Sequence, residues 1–167
     1  MADNAFYGGS NLTKKVGVYL LEPGFRMIMN YRLGKYFLET RSGVFKLFVR
    51  YLRLKQVVKR GCQFSFKATI GNNFKMPHAI GIVIGEGVII KDNVTIFQNV
   101  TLGRSHGNAD GLCYPVIGNN VTIFAGAKIF GGVAIGANAK IGANAVVNID
   151  VPENCIAVGV PAKILSK

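Results

Sequence analysis

The chain has 167 residues, 50% of them hydrophobic, with 20 Lys+Arg against 8 Asp+Glu and a formal net charge of +12. That length suits one compact domain with a modest extension. No run approaches the ~18 apolar residues of a spanning helix and no long apolar stretch leads to a small-residue cleavage site, so the expectation is a protein neither integral nor secreted by that route.

The basic excess belongs to the N-terminal part. Residues 1–60 carry 12 Lys+Arg against 3 Asp+Glu, leaving a net +3 for residues 61–167, which marks a boundary near Gly61. Within 1–60, Phe25, Ile28, Met29, Leu33, Tyr36 and Phe37 recur at helical spacing, as do Val44, Leu47, Phe48, Tyr51, Leu54 and Val58. Lys46, Arg50, Arg53, Lys59 and Arg60 lie among the second set. The pattern predicts two amphipathic helices, roughly 24–40 and 43–60, separated around Ser42-Gly43. Two roles suit them: apolar stripes that cap the open end of a repeat structure or pack subunits together, and a basic face held against an anionic membrane surface. Nucleic-acid binding fits less well, because no recognition motif accompanies the charge.

From Ile70 onward an aliphatic residue returns every six positions: Ile70, Met76, Ile82, Val88, Val94, Val100, then Ile117, Ile123, Ile129, Ile135, Ile141 and Val147. A period of six fits neither a lone helix nor an alternating strand. It is a signature of a parallel β-helix, whose repeats cannot bury their apolar residue alone and so stack. Three hexapeptides per coil would form a triangular prism, with residue i lying over i+18 at a strand spacing of about 4.8 Å. Gly71-Asn72-Asn73, Gly118-Asn119-Asn120, Gly136-Ala137-Asn138 and Gly142-Ala143-Asn144 then take the corners, because Gly and Asn reach left-handed backbone angles at low cost.

Between Val100 and Ile117 the register breaks, and residues 103–115 carry no repeat pattern. Insertions leave a solenoid as loops from one face, often the binding face, so this segment reads as a flap over a polar ligand. Cys62, Cys113 and Cys155 are an odd count at unrelated spacings, which suggests free thiols in a reducing, cytoplasmic setting.

Residues 62–165 resemble the hexapeptide-repeat acyltransferases, most closely the serine acetyltransferase branch and its short relatives that O-acetylate bacterial polysaccharides. The likeness rests on 76–86 (Met-Pro-His-Ala-Ile-Gly-Ile-Val-Ile-Gly-Glu), Asn99-Val100-Thr101-Leu102-Gly103, Gly126-Ala127-Lys128-Ile129 and Gly159-Val160-Pro161-Ala162-Lys163-Ile164. It implies a mainly β fold, a left-handed parallel β-helix over 61–167 with a short helical region over 1–60. It also implies a homotrimer, acetyl-CoA as donor and active sites between subunits.

A neutral hydroxyl attacks a thioester poorly and needs a base, and histidine titrates in the right range. By the family pattern His78 is that base. The family's orienting aspartates align with Gln63 and Pro77, so Gln63 is the expected partner of the imidazole, accepting its N–H. The second family histidine aligns with Tyr114. By motif, Ala125 and Gly126 line the thioester arm, Ala143 lies one coil further, and Lys140 and Lys163 face the cofactor phosphates. Glu86, Arg104 and His106 are the expected acceptor contacts. A metal-dependent carbonic anhydrase on this fold would need a histidine triad, and with two histidines no metal is expected.

The departures at Gln63, Pro77 and Tyr114, with the short basic N-terminal segment, point the expectation away from serine. They favour an acetyl-CoA-dependent O-acetyltransferase acting on a sugar hydroxyl in exopolysaccharide or capsule biosynthesis, cytoplasmic and peripheral on the inner face of the membrane. Serine O-acetyltransferase of cysteine biosynthesis is the alternative, and a non-catalytic β-helix scaffold subunit the second alternative.

Overall fold

The computed structural model describes residues 22–40, 43–105 and 114–165. Helix α1 (Pro23–Glu39) starts with proline in its first turn, where a missing N–H costs nothing. A 3₁₀ turn (Gly43–Phe45) leads into α2 (Lys46–Arg60), which ends on Gly61 in the left-handed conformation at φ 57°.

Short strands then wind a prism with three faces. Sheet A stacks β1 (Gln63–Phe64), β3 (Val83–Ile84), β6 (Thr101–Gly103), β9 (Lys128–Phe130) and β12 (Val146–Val147). Sheet B stacks β2 (Thr69–Ile70), β4 (Ile89–Ile90), β7 (Val116–Ile117) and β10 (Ala134–Ile135). Sheet C stacks β5 (Thr95–Ile96), β8 (Thr122–Ile123), β11 (Lys140–Ile141) and β13 (Ile156–Val158), and closes with antiparallel β14 (Lys163–Leu165). All other strand pairs are parallel, as the repeats predict, and the coil is the left-handed β-helix that the family resemblance implies.

All twelve aliphatic residues of the sixfold run are buried. The stacking interval nevertheless departs from 18 at three places, one of them the last coil, where Lys140 lies over Ile156 and Ile135 over Val151 at an interval of 16. Gln63 lies over Val83 and Thr69 over Ile89, so the first two coils are 20 residues apart. Ile89 lies over Val116 and Thr101 over Lys128, an interval of 27. Elsewhere Val83 over Thr101 and Thr122 over Lys140 keep 18. Two extra residues therefore sit between Met76 and Ile84, and nine between Leu102 and Ile117.

The corner between sheets B and C carries the expected asparagines. Asn73, Asn93, Asn120, Asn138 and Asn154 all have φ between 51° and 61°. Their amides form ladder bonds, Asn73 to Asn93 at 3.0 Å, Asn120 to Asn138 and Asn138 to Asn154 at 3.1 Å.

The helices close the N-terminal end of the prism, whose first coil would otherwise present unpaired strand edges. Tyr31 Oη donates to Ala68 O at 2.7 Å, Arg32 reaches the carbonyls of Ile70 and Gly71, and Gln56 Oε1 accepts Phe64 N–H at 2.7 Å. Met27, Ile28 and Tyr31 on α1 and Val49, Leu52 and Gln56 on α2 face the core. The α2 stripe read from the sequence is not the capping face, since Leu47, Tyr51, Leu54 and Val58 all point outward.

Candidate active site

The two extra residues of the first turn of the coil place His78. The backbone crosses from the sheet C bridge at Lys75 to β3 on sheet A through a longer corner, in which Ile80 N–H donates to His78 O and Gly81 N–H to Gly61 O, both at 2.9 Å. Buried Ala79 pins the turn from inside, leaving the His78 side chain exposed. Its ring faces Phe97 at 6.4 Å between centroids, and Phe97 stacks on Phe124 at 5.4 Å with 15° between the planes. Phe97 and Phe124 immediately follow the inward residues Ile96 and Ile123 and are 27 apart, so they occupy equivalent places in successive coils. The sequence reading missed both; their place just after an inward position of the repeat was the available signal.

The same C–A corner carries the residues expected to line the thioester arm. Gly126 N–H donates to Gln98 O and Asn144 N–H to Ala125 O, each at 2.9 Å, so the corner climbs in rungs from His78 past Phe97 to Ala125, Gly126 and Ala143. At the strand spacing Ala125 lies two rungs, about 10 Å, along the edge from His78. Gly126 has φ +76°, and a Cβ there would collide with Asn144 Oδ1. The bare backbone is thus a requirement of the turn as well as an opening for a ligand. Lys140, paired with Thr122 and Ile156, and Lys163, opposite Val158, are both exposed on sheet C beside this corner.

The expected acceptor contacts gather elsewhere. Glu86 lies at the A–B corner and pairs with Lys67 at 2.5 Å. Tyr114 packs beside it, with Gly85 and Gly87 leaving room for the ring, and Arg104 is exposed where the flap departs. Gln63 points outward from sheet A into a groove shared with Arg53, Ser65, Val83 and Glu86. Among the described residues it forms no hydrogen bond with His78. His106, Cys113 and most of the flap lie outside the described residues. Pro77 is exposed next to His78. Among the described residues no group of three or more His, Cys, Asp and Glu could hold a metal.

The single chain therefore holds two clusters at two corners: His78, Ala125, Gly126, Ala143, Lys140 and Lys163 along one, and Glu86, Arg104 and Tyr114 along another. The first offers an exposed imidazole and an open backbone ledge. The second offers charges of both signs.

Comparisons with known proteins agree with the coil. Residues 114–148 match the family described as bacterial transferase hexapeptide (six repeats). The serine acetyltransferase of Helicobacter pylori strain J99 is 39% identical over 150 residues, 90% of this chain and 85% of the relative. A serine acetyltransferase solved in complex with CoA superposes with a TM-score of 0.77 at 39% identity, over 89% of this chain and 60% of that one. The soybean serine acetyltransferase complexed with serine superposes with a TM-score of 0.85 at 32% identity, over 98% of this chain and 67% of that one. Against other serine acetyltransferases the chain spans only 38% to 59% of their length. These findings overturn the expectation of a sugar acceptor in exopolysaccharide or capsule biosynthesis: the relatives described above are serine acetyltransferases, and their likeness covers 90% of the chain in sequence and 98% in structure.

Proposed function

Because the chain belongs to the serine acetyltransferase family, we propose that it transfers the acetyl group of acetyl-CoA to the hydroxyl of serine. The observation that carries this reading is the C–A corner, where exposed His78 shares one edge with the Ala125–Gly126 ledge and Ala143. His78 takes the serine hydroxyl proton on its unprotonated nitrogen as the oxygen attacks the thioester carbonyl. The carbon–sulfur bond then breaks, and the imidazolium returns the proton to the departing CoA sulfur, leaving O-acetylserine and free CoA thiol. The donor's thioester arm lies along the corner, with Lys140 and Lys163 supplying positive charge for its phosphates.

Serine is a small zwitterion, and the groove with Arg53, Gln63 and Glu86 has complementary charge: a guanidinium for the carboxylate and a carboxylate for the ammonium. Gln63 is assigned to this acceptor side rather than to the imidazole. The exposed Lys67–Glu86 pair costs little to open. Since the acceptor groove and the His78 edge lie at different corners of one prism, a complete site requires the groove of one copy to face the edge of the next. A closed ring of three copies, joined head to tail through unlike surfaces, meets that requirement.

Purified protein with acetyl-CoA and serine should release CoA thiol and yield O-acetylserine in equal amounts. Failure to bind CoA at millimolar concentration would overturn the reading, and so would thiol release that does not depend on serine.

A further inference from the structure

Helix α2 turns a second apolar face away from the protein. Val49, Leu52 and Gln56 pack inward, whereas Leu47, Tyr51, Leu54 and Val58 are 78%, 51%, 61% and 71% exposed. Spacings of four, three and four residues put these four on one continuous side of the helix, and Val44 in the preceding turn extends it at 83% exposed. Single exposed aliphatics are ordinary, but a contiguous stripe marks an interaction surface. At 3.6 residues per turn, Lys46 and Arg50 fall on one flank of the stripe and Lys55 and Lys59 on the other. Lys55 reaches over the Tyr51 ring at 5.8 Å. No Asp or Glu occurs between Glu39 and Glu86.

We propose that this outward face of α2 docks on an anionic lipid bilayer, with Leu47, Tyr51, Leu54 and Val58 seated at the level of the acyl boundary and the flanking cations among the headgroups. The charge pattern selects this occupant. Two copies of α2 joined stripe to stripe would bring cationic flanks together with no acidic residue in the helix to offset them. An anionic surface neutralises both flanks at once. The contact is peripheral, as no described helix is long and apolar enough to cross a membrane.

The full-length protein should float with phosphatidylcholine vesicles that contain phosphatidylglycerol and stay behind with phosphatidylcholine alone. Raising the salt about tenfold should release it, because exposed charges are screened. Leu47→Ser with Leu54→Ser should cut partitioning at least about tenfold while helical content and oligomeric mass stay the same. Lys46→Gln with Lys59→Gln keeps the stripe intact and should weaken binding to anionic vesicles alone. Absence of binding at low salt would overturn the proposal, as would equal binding to both lipid compositions. A fall in oligomeric mass in the serine variant would give the stripe to a second copy instead.

Discussion

The His78 imidazole faces the Phe97 ring at 6.4 Å, on an edge that continues through Phe124 to the Ala125–Gly126 ledge. Proton transfer needs an exposed imidazole beside the place where the acyl group lies, and Phe97 bounds that place on one side. His78→Ala should therefore lower kcat by about 10²–10⁴-fold while CoA affinity, measured by calorimetry, stays within a few-fold. Unchanged turnover would remove His78 from the chemistry.

Gly126 should resist any side chain. At φ +76° an alanine would enter a region that L-residues avoid, and its Cβ would collide with Asn144 Oδ1. Gly126→Ala should cost about 1–3 kcal/mol in denaturant unfolding and weaken CoA binding together with it. Adding Asn144→Gly removes the collision and leaves the backbone cost, so the pair should recover only part of the loss. Full recovery would show that the backbone angle itself is not the constraint.

Much of the fold was legible because the repeat has two inward positions two residues apart, filled after the first coil mostly with aliphatics or alanine. That redundancy also hid something. The sixfold count Ile70, Met76, Ile82, Val88 runs through the two extra residues around His78 by sliding from one inward position to the other: Ile70 stacks on Ile90, while Val88 is the neighbour two places before it. The insertion that exposes His78 was therefore invisible as a break, although the flap insertion, nine residues long, was not. The α2 stripe misled for a related reason. Periodicity reports that a face is apolar, and only the fold reports which face meets the core; Val49, Leu52 and the polar Gln56 won because Gln56 satisfies the open edge at Phe64. At the site, composition offered two histidines, and the choice of His78 came from family likeness, as did the ledge. The acceptor was not legible from the site: the departures at Gln63, Pro77 and Tyr114 point away from serine, whereas the likeness to serine acetyltransferases covers 90% of the chain for the Helicobacter relative and 98% for the soybean structure.

The flap should be separable from the coil. Intervals of 27 across it and 18 after it mean that nine residues can be excised and the coil closed at its regular length. Removing 105–113 keeps Tyr114 against Gly85 and Gly87. Loop entropy changes slowly with length, so stability should move by no more than about 1 kcal/mol. Acetyl transfer should fall at least about tenfold if the flap contributes to the acceptor site, since each lost ordered contact worth 1.4 kcal/mol is tenfold in rate. Loss of folding would show that the segment is part of the core.

The capping contacts predict how stability responds to alkali. Burial raises the Tyr31 phenol above its ordinary value, against a smaller opposing effect of Arg32, and burial likewise raises the Cys62 thiol. In both cases the folded chain holds a proton that the unfolded chain gives up, so stability falls as pH rises. The contribution is fully present below the ordinary values of 9.0 for the thiol and 10.0 for the phenol, and it is lost on climbing through the higher folded values. Denaturation midpoints should therefore decline from about pH 9 upward. Cys62→Ala should flatten the first part of that decline. Tyr31→Phe gives up the bond to Ala68 O, about 0.5–1.5 kcal/mol at neutral pH, and should flatten the later part, so that the gap between it and the parent protein narrows as the solution becomes more alkaline. A gap that stays constant with pH would mean that Tyr31 ionises as freely in the folded protein as in the unfolded chain.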